Sequence, residues 1–192
     1  MEKLIIGSRG SKLALKYAEI AKKAFLKELD IEIEIKKITT EGDLILDRRT
    51  SEIGGKGEFI KNIEKELISK NIDVAVHSLK DVPSVKTKGL RMECFLKRND
   101  PQEVLINKEN LTFDKIKKNS VIGTSSLRRE FQLKHLRPDL NFKLIRGNID
   151  TRIKKLDEDQ YDSIILAKAG LMSLALENRI SEVFECKKIV PP

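Results

Sequence analysis

Tryptophan is absent from this 192-residue chain, and aromatic residues make up only 5% of it. Single-stranded nucleic acid is held largely by stacking on exposed aromatic faces, so the chain has little from which to build such a platform. No zinc-finger spacing or RNA-recognition sequence appears either. A nucleic-acid binder would find the charge here, but not the aromatics. Histidine and cysteine are equally scarce, with two of each, and no cysteine stands near His77 or His135. That excludes the usual nitrogen and sulfur metal spacings. No apolar run approaches the roughly 18 residues of a membrane span. The opening MEKLIIGSRG does not read as a secretory leader, so a cytoplasmic location is expected. Cys94, in the apolar run MECFL, is expected to be a buried, reduced structural thiol. Cys186 is expected near the surface.

What the chain does have is charge. Charged residues make up 35% and hydrophobic residues 40%, with a formal net charge of +8. The balance suits a globular protein, of one domain or two small ones. The positive excess points to anionic partners. Small carboxylate-bearing ligands stay open as partners, because guanidinium groups grip carboxylates in a bidentate fork.

Strand and helix patterns alternate along the sequence. KLIIGSR (3–9) reads as a strand, and Ser11 is placed to cap a helix over 12–29 with Leu13, Tyr17, Ile20, Ala21 and Ala24 on one face. IEIEIKKIT (31–39) alternates as a half-buried strand does. The stretch 41–58 is too irregular to assign, and a helix is expected over 59–69. DVAVHS (73–78) and LRMECFL (90–96) read as strands. RNDP (98–101) breaks the pattern and marks a crossing between lobes, giving a first lobe over 1–97 and a second over 98–192. In the second, EVLI, SVIGTSS, NFKLI and DSIILA read as strands, with helices over 126–136, 149–157 and 168–176. The alternation predicts an α/β fold with mixed, mostly parallel sheets and helices on both faces.

Polar groups gather where these strands end, which is where ligands bind in open α/β sheets. Arg9 and Ser11 follow the first strand. Ser78, Lys80 and Asp81 follow AVHS. Thr124, Ser125, Ser126, Arg128 and Arg129 follow VIG. Arg146, Asn148, Thr151 and Arg152 follow KLI. In GTSSLRRE, Gly123 allows a tight turn, and Ser125 or Ser126 is placed to cap a helix whose first N–H groups face an anion. Arg128 and Arg129 there oppose the helix dipole unless an anion binds; alternatively they pair with Glu130 or solvent. Asn148 is similarly placed to cap the next helix, and Arg146 and Arg152 can close on a carboxylate, or one can pair with Asp150. GGKG (54–57) lacks the Walker spacing and reads as a surface loop or a lid. His77 reads as a structural residue rather than a base. A Ser-His-Asp triad from His77, Ser78 and Asp81 is weak, since three members in one strand end rarely converge.

Together these stretches carry a resemblance. IIGSRGSKLAL, EGDLIL, GGKGEFIKNIEKEL, DVAVHSLKDVP, RNDPQEVLI, IGTSSLRRE, RPDL, LIRGNIDTR and YDSIILAKAGL occur in one order over nearly the whole chain. In that order they resemble the porphobilinogen deaminase family. The resemblance implies two similar lobes like those of type II periplasmic solute-binding proteins, with the active site between them. It implies joining of four porphobilinogen molecules into a linear tetrapyrrole with loss of ammonia, on a covalent dipyrromethane cofactor. By motif, Asp81 matches the catalytic aspartate. Lys80, Asp81, Ser126, Arg128, Arg129 and Arg146 match cofactor-binding positions. Arg9, Ser11, Phe59, Arg146 and Arg152 match substrate-binding positions. No metal is implied.

Departures accompany the likeness. Lys16-Tyr17 stands where the family commonly has Trp-Gln. AGLMSLA replaces AGLxRLG, so Ser173 occupies the place of an expected arginine. The family's return strand and its cysteine-bearing third domain are not represented, and neither Cys94 nor Cys186 matches the attachment cysteine. The chain is therefore expected to lack the primer and tetrapyrrole-forming activity when alone. Although the family is typically monomeric, the chain is expected to carry an unpaired sheet edge that favours self-association. The competing reading is a non-enzymatic two-lobed module for organic acids. Asp81 separates the two, because a pure carboxylate binder gains nothing from a carboxylate facing its ligand.

Overall fold

Strand–helix alternation becomes two separate sheets in the computed structural model, which describes residues 3–40, 57 and 59–192. The described residues fall into two compact units, one ending at Lys97 and the other beginning at Arg98.

In the first unit, β1 (Lys3–Arg9) lies between β2 (Glu32–Ile38) and β3 (Val74–Ala75), all parallel. Backbone bonds from Asp73 N to Ile5 O and from Val76 N to Gly7 O lengthen the short third strand. Alternation sends neighbouring side chains to opposite faces. Ile6 and Ile33 pack with Ala18 and Phe25 of α1 (Lys12–Glu28), while Ile5 and Ile38 pack with Ile63 and Leu67 of α2 (Lys61–Ile68). Gly7 is required by close approach, since a Cβ there would lie 2.3 Å from Ile72 Cδ1. Ser11 caps α1 as expected, its Oγ accepting from Ala14 N.

The buried face of α1 departs from the expected one at Ile20, which is exposed. Ala21 is buried as expected, Leu13, Tyr17 and Ala24 are half-buried, and Ala18 joins the buried face with Phe25 packed against its cluster. The run 90–96 forms no strand. It joins no ladder, and Cys94, Phe95 and Leu96 are exposed. A strand needs a partner, and propensity does not supply one. The expected burial of Cys94 fails for the same reason, while Cys186 is exposed as expected.

In the second unit the sheet order is β6-β5-β7-β4-β8. These are β4 (Glu103–Ile106), β5 (Val121–Gly123), β6 (Asn141–Lys143), β7 (Ser163–Ala167) and β8 (Glu182–Val183). β5 is parallel to β6 and β7, whereas β4 runs antiparallel to β7 and β8. Val104 and Ile106 enter the core beneath α4 (Ile149–Asp157) and α5 (Lys168–Ser173), while Leu105 enters the core with Leu133 of α3 (Leu127–Leu136). All four residues of β4 are buried, Glu103 included.

Ser126 caps α3. Asn148 sits at the N-cap of α4, but its side chain makes no cap bond. Gly123 serves packing rather than a turn: a Cβ there would lie 2.9 Å from the Tyr161 ring and 3.0 Å from Ile164 Cγ2. The helix at 168 ends earlier than expected. Ser173 Oγ donates to Ala169 O, and Ala175 then takes a left-handed φ of 55° while Leu176 N closes on Leu171 O. Glycine is the residue suited to that position. Ala175→Gly is expected to stabilise this unit by about 1 kcal/mol, readable as a higher denaturation midpoint at unchanged slope.

Candidate functional site

The chain's polar strand ends form one constellation in each unit. In the first, β1 ends at Arg9, Ser11 opens α1, and the chain leaves β3 through His77 and Ser78 into a 3-10 turn over Leu79–Asp81. The turn is closed by Asp81 N donating to Ser78 O. These groups line a single pocket with Tyr17, Phe59 and Val76. Arg9, Ser11, Phe59 and Asp81 are thus brought together, and the Arg9 guanidinium lies 4.3 Å from the centre of the Phe59 ring. That contact supports the arginine on one face by cation–π attraction and leaves its edges for hydrogen bonds. Lys80 is exposed on the same turn. Of GGKG, residues 54–56 lie outside the described residues.

His77 belongs to this pocket, which its place in an apolar strand did not reveal. Burial pushes its pKa below the ordinary value, with nearby Arg9 acting the same way and Asp81 opposing both. The unfolded chain therefore takes up a proton at His77 before the folded one does. Stability is full above about pH 6.5 and falls as pH drops toward the folded-state pKa. We expect a loss of at most about 1.4 kcal/mol per pH unit in that window, absent in His77→Gln. Proton NMR titration of His77 reads the same quantity, and a midpoint above 6.5 would contradict it.

The second constellation is built on arginines. Glu103, 1% exposed, meets Arg128 and Arg129 of α3: Arg128 Nη2 approaches Oε1, and Arg129 Nη2 lies 2.7 Å from Oε2. Arg128 also donates to Val190 O, and Arg129 Nη1 donates to Ile165 O at 3.0 Å. The carboxylate these arginines share among the described residues is thus Glu103, on another element, and Arg128 remains partly exposed. The signal for Glu103 was present in EVLI, as a charged residue opening a fully apolar strand with the parity of Leu105. The separation of 25 positions between Glu103 and Arg128 concealed the pairing.

Arg129, 7% exposed, leaves its Nε without a hydrogen bond among the described residues. Arg146 is buried at the end of β6, and Arg152 Nε donates to Gly147 O at 2.8 Å. The Arg152 pKa is pushed down to about 10 by desolvation first, then by Arg129 and Arg146. Among the described residues, Tyr161 opposes that shift. Arg129, Arg146 and Arg152 therefore form a crowded, desolvated cationic group. Ser126 stands beside it at the N-cap, its Oγ 3.4 Å from Arg129 N. Ser173 does not replace the expected arginine, because its hydroxyl is committed to Ala169 O. Among the described residues no group of acidic, histidine and cysteine side chains is arranged to hold a metal, and no helix is long and apolar enough to cross a membrane.

Comparison with known proteins gives this geometry a context. In solved structures, the methionine-binding protein MetQ matches with a TM-score of 0.54 at 12% identity, over 95% of this chain and 78% of that one. A ligand-binding component of an ABC-type import system from Staphylococcus aureus matches with 0.53 at 13%, over 100% and 63%. These likenesses establish the expected fold, that of type II periplasmic solute-binding proteins. Curated porphobilinogen deaminases of Bacillus thuringiensis (strain Al Hakam) and Bacillus cereus (strain AH187) are each 49% identical over 94% of this chain. The chain spans 59% of the length of these relatives. Residues 4–192 match the family model described as "Porphobilinogen deaminase, dipyromethane cofactor binding domain". With that match across nearly all of its length, the chain belongs to the porphobilinogen deaminase family.

Proposed function

We propose that this chain is the cofactor- and substrate-holding part of a transferase that condenses porphobilinogen into a linear tetrapyrrole, hydroxymethylbilane, in the cytoplasm. The observation that carries the reading is the gathering of Arg129, Arg146 and Arg152, the first two buried and the third desolvated, which suits a polyanionic ligand. Porphobilinogen bears two carboxylates, and every unit added to a growing chain brings two more. The residues present fit dipyrromethane on the same chemistry. Lys80, Ser126, Arg128, Arg129 and Arg146 would hold its acidic side chains, with the buried Nε–H of Arg129 as a donor that lacks a hydrogen bond among the described residues. When bound, that group supplies the pyrrole carbon to which new units are joined.

Arg9, Ser11 and Phe59, with Arg146 and Arg152, would position the incoming substrate. Loss of ammonia from porphobilinogen leaves a cationic azafulvene. Arginines alone would hold the acids but oppose that cation. Asp81 supplies the negative charge, accepting from pyrrole N–H groups as the cation develops and assisting proton transfer to the leaving amine.

The test is to express the protein from its complete reading frame and supply porphobilinogen. Ammonia release in step with linear tetrapyrrole formation is expected. Binding without ammonia release would instead support the organic-acid module.

A further inference from the structure

Glu103 has no place in the reading above, yet it is the most deeply buried carboxylate tied to that reading's arginines. It opens β4, which lies between β7 and β8, and has the parity of Leu105, directing it to the face on which α3 packs. Its two oxygens are divided between two guanidinium groups, Oε1 to Arg128 and Oε2 to Arg129. Each arginine has a second anchor on a backbone carbonyl, Val190 for Arg128 and Ile165 for Arg129. Arg129 Nη1 is thereby hydrogen-bonded to the fold and Nη2 is ion-paired with Oε2, while among the described residues neither its Nε, nine-tenths buried, nor Glu103 Oε2 has a hydrogen bond.

We propose that Glu103 is a positioning residue: it fixes Arg128 and Arg129 so that the remaining guanidinium edges are presented to ligand carboxylates. This rests on the functional reading above. A ligand-gripping arginine loses side-chain entropy on binding, and a buried fork sets that orientation in advance. One carboxylate facing two guanidinium groups also leaves the site positive, so an anion is still attracted.

Glu103→Gln separates positioning from charge compensation. The amide keeps the length, but offers one acceptor and one donor, and the donor faces a guanidinium that has only donors. The substitution also makes the site more positive. If Glu103 only neutralised charge, porphobilinogen would bind Glu103→Gln more tightly. If it positions the arginines, binding weakens despite the added positive charge, by about tenfold or more for the loss of a charge-assisted bond. Glu103→Asp retains charge and two acceptors and is expected to stay within about threefold of the wild type.

Calorimetric titration with porphobilinogen gives the affinities. Nitrogen-15 NMR of the arginine side chains gives a second readout: hindered rotation of the Arg129 guanidinium in wild type and Glu103→Asp, released in Glu103→Gln. Equal or tighter binding by folded Glu103→Gln would overturn the proposal. So would a freely rotating Arg129 guanidinium in the wild type, a comparison that stands even if Glu103→Gln does not fold. A wild-type protein that ignores porphobilinogen while holding Arg129 rigid would contradict the functional reading and leave the positioning of Arg129 supported.

Discussion

Asp81→Asn is expected to lower single-turnover ammonia release by about 10²–10³-fold while leaving binding of porphobilinogen nearly intact. The asparagine keeps the size of the side chain and its place on the 3-10 turn, which is closed by a backbone bond that does not involve the side chain. Only the charge is lost, and only the cationic stage of the reaction needs that charge. Asp81→Glu should retain part of the rate, since charge survives and position alone changes. The pocket also places Arg9 and His77 with Asp81, so loss of the carboxylate makes this pocket more positive. Rapid-quench measurement on both variants checks this. An Asn variant as fast as the wild type would remove Asp81 from the chemistry.

Arg129→Leu is expected to do two things at once. It strips Glu103 of one of its two cations and leaves a buried carboxylate half-compensated, at a cost of about 3–5 kcal/mol in stability. On the proposed reading it also removes a ligand for cofactor carboxylates, so the protein from the complete reading frame should carry little or no dipyrromethane by intact mass. Arg129→Lys separates the two effects. A lysine retains the charge for Glu103 but cannot present a planar fork, so stability should recover further than cofactor loading. Normal loading in folded Arg129→Leu would return this arginine to a purely structural role.

The parts of this arrangement that were legible in sequence are those encoded locally. EVLI and SIILA are short continuous apolar runs, the pattern of strands buried on both faces. Ser11 and Ser126 cap their helices because a cap acts across only three residues. Arg9, Ser11, Phe59 and Asp81 were each visible as polar or aromatic residues near element ends, and the pocket gathers them. What was illegible depends on distant partners. The apolar content of 90–96 implied a strand that has no ladder to join. β8 is two residues long and exists only through its pairing with β4. Arg128 and Arg129 were visible as a basic pair opening a helix, but their shared carboxylate lies on another element of the sheet. On α1 the expected stripe failed at Ile20, which is exposed, while Ala18 lies buried instead.

The central claim is that acidic side chains on a pyrrole are what this chain recognises. The most direct measurement is calorimetric titration with porphobilinogen and, in parallel, with an aminomethylpyrrole lacking both acid groups. The account predicts salt-sensitive binding of the diacid and at least about a hundredfold weaker binding of the stripped pyrrole, in keeping with two charge-assisted contacts. Equal affinity for the two compounds, or no binding of either to folded protein, would contradict it.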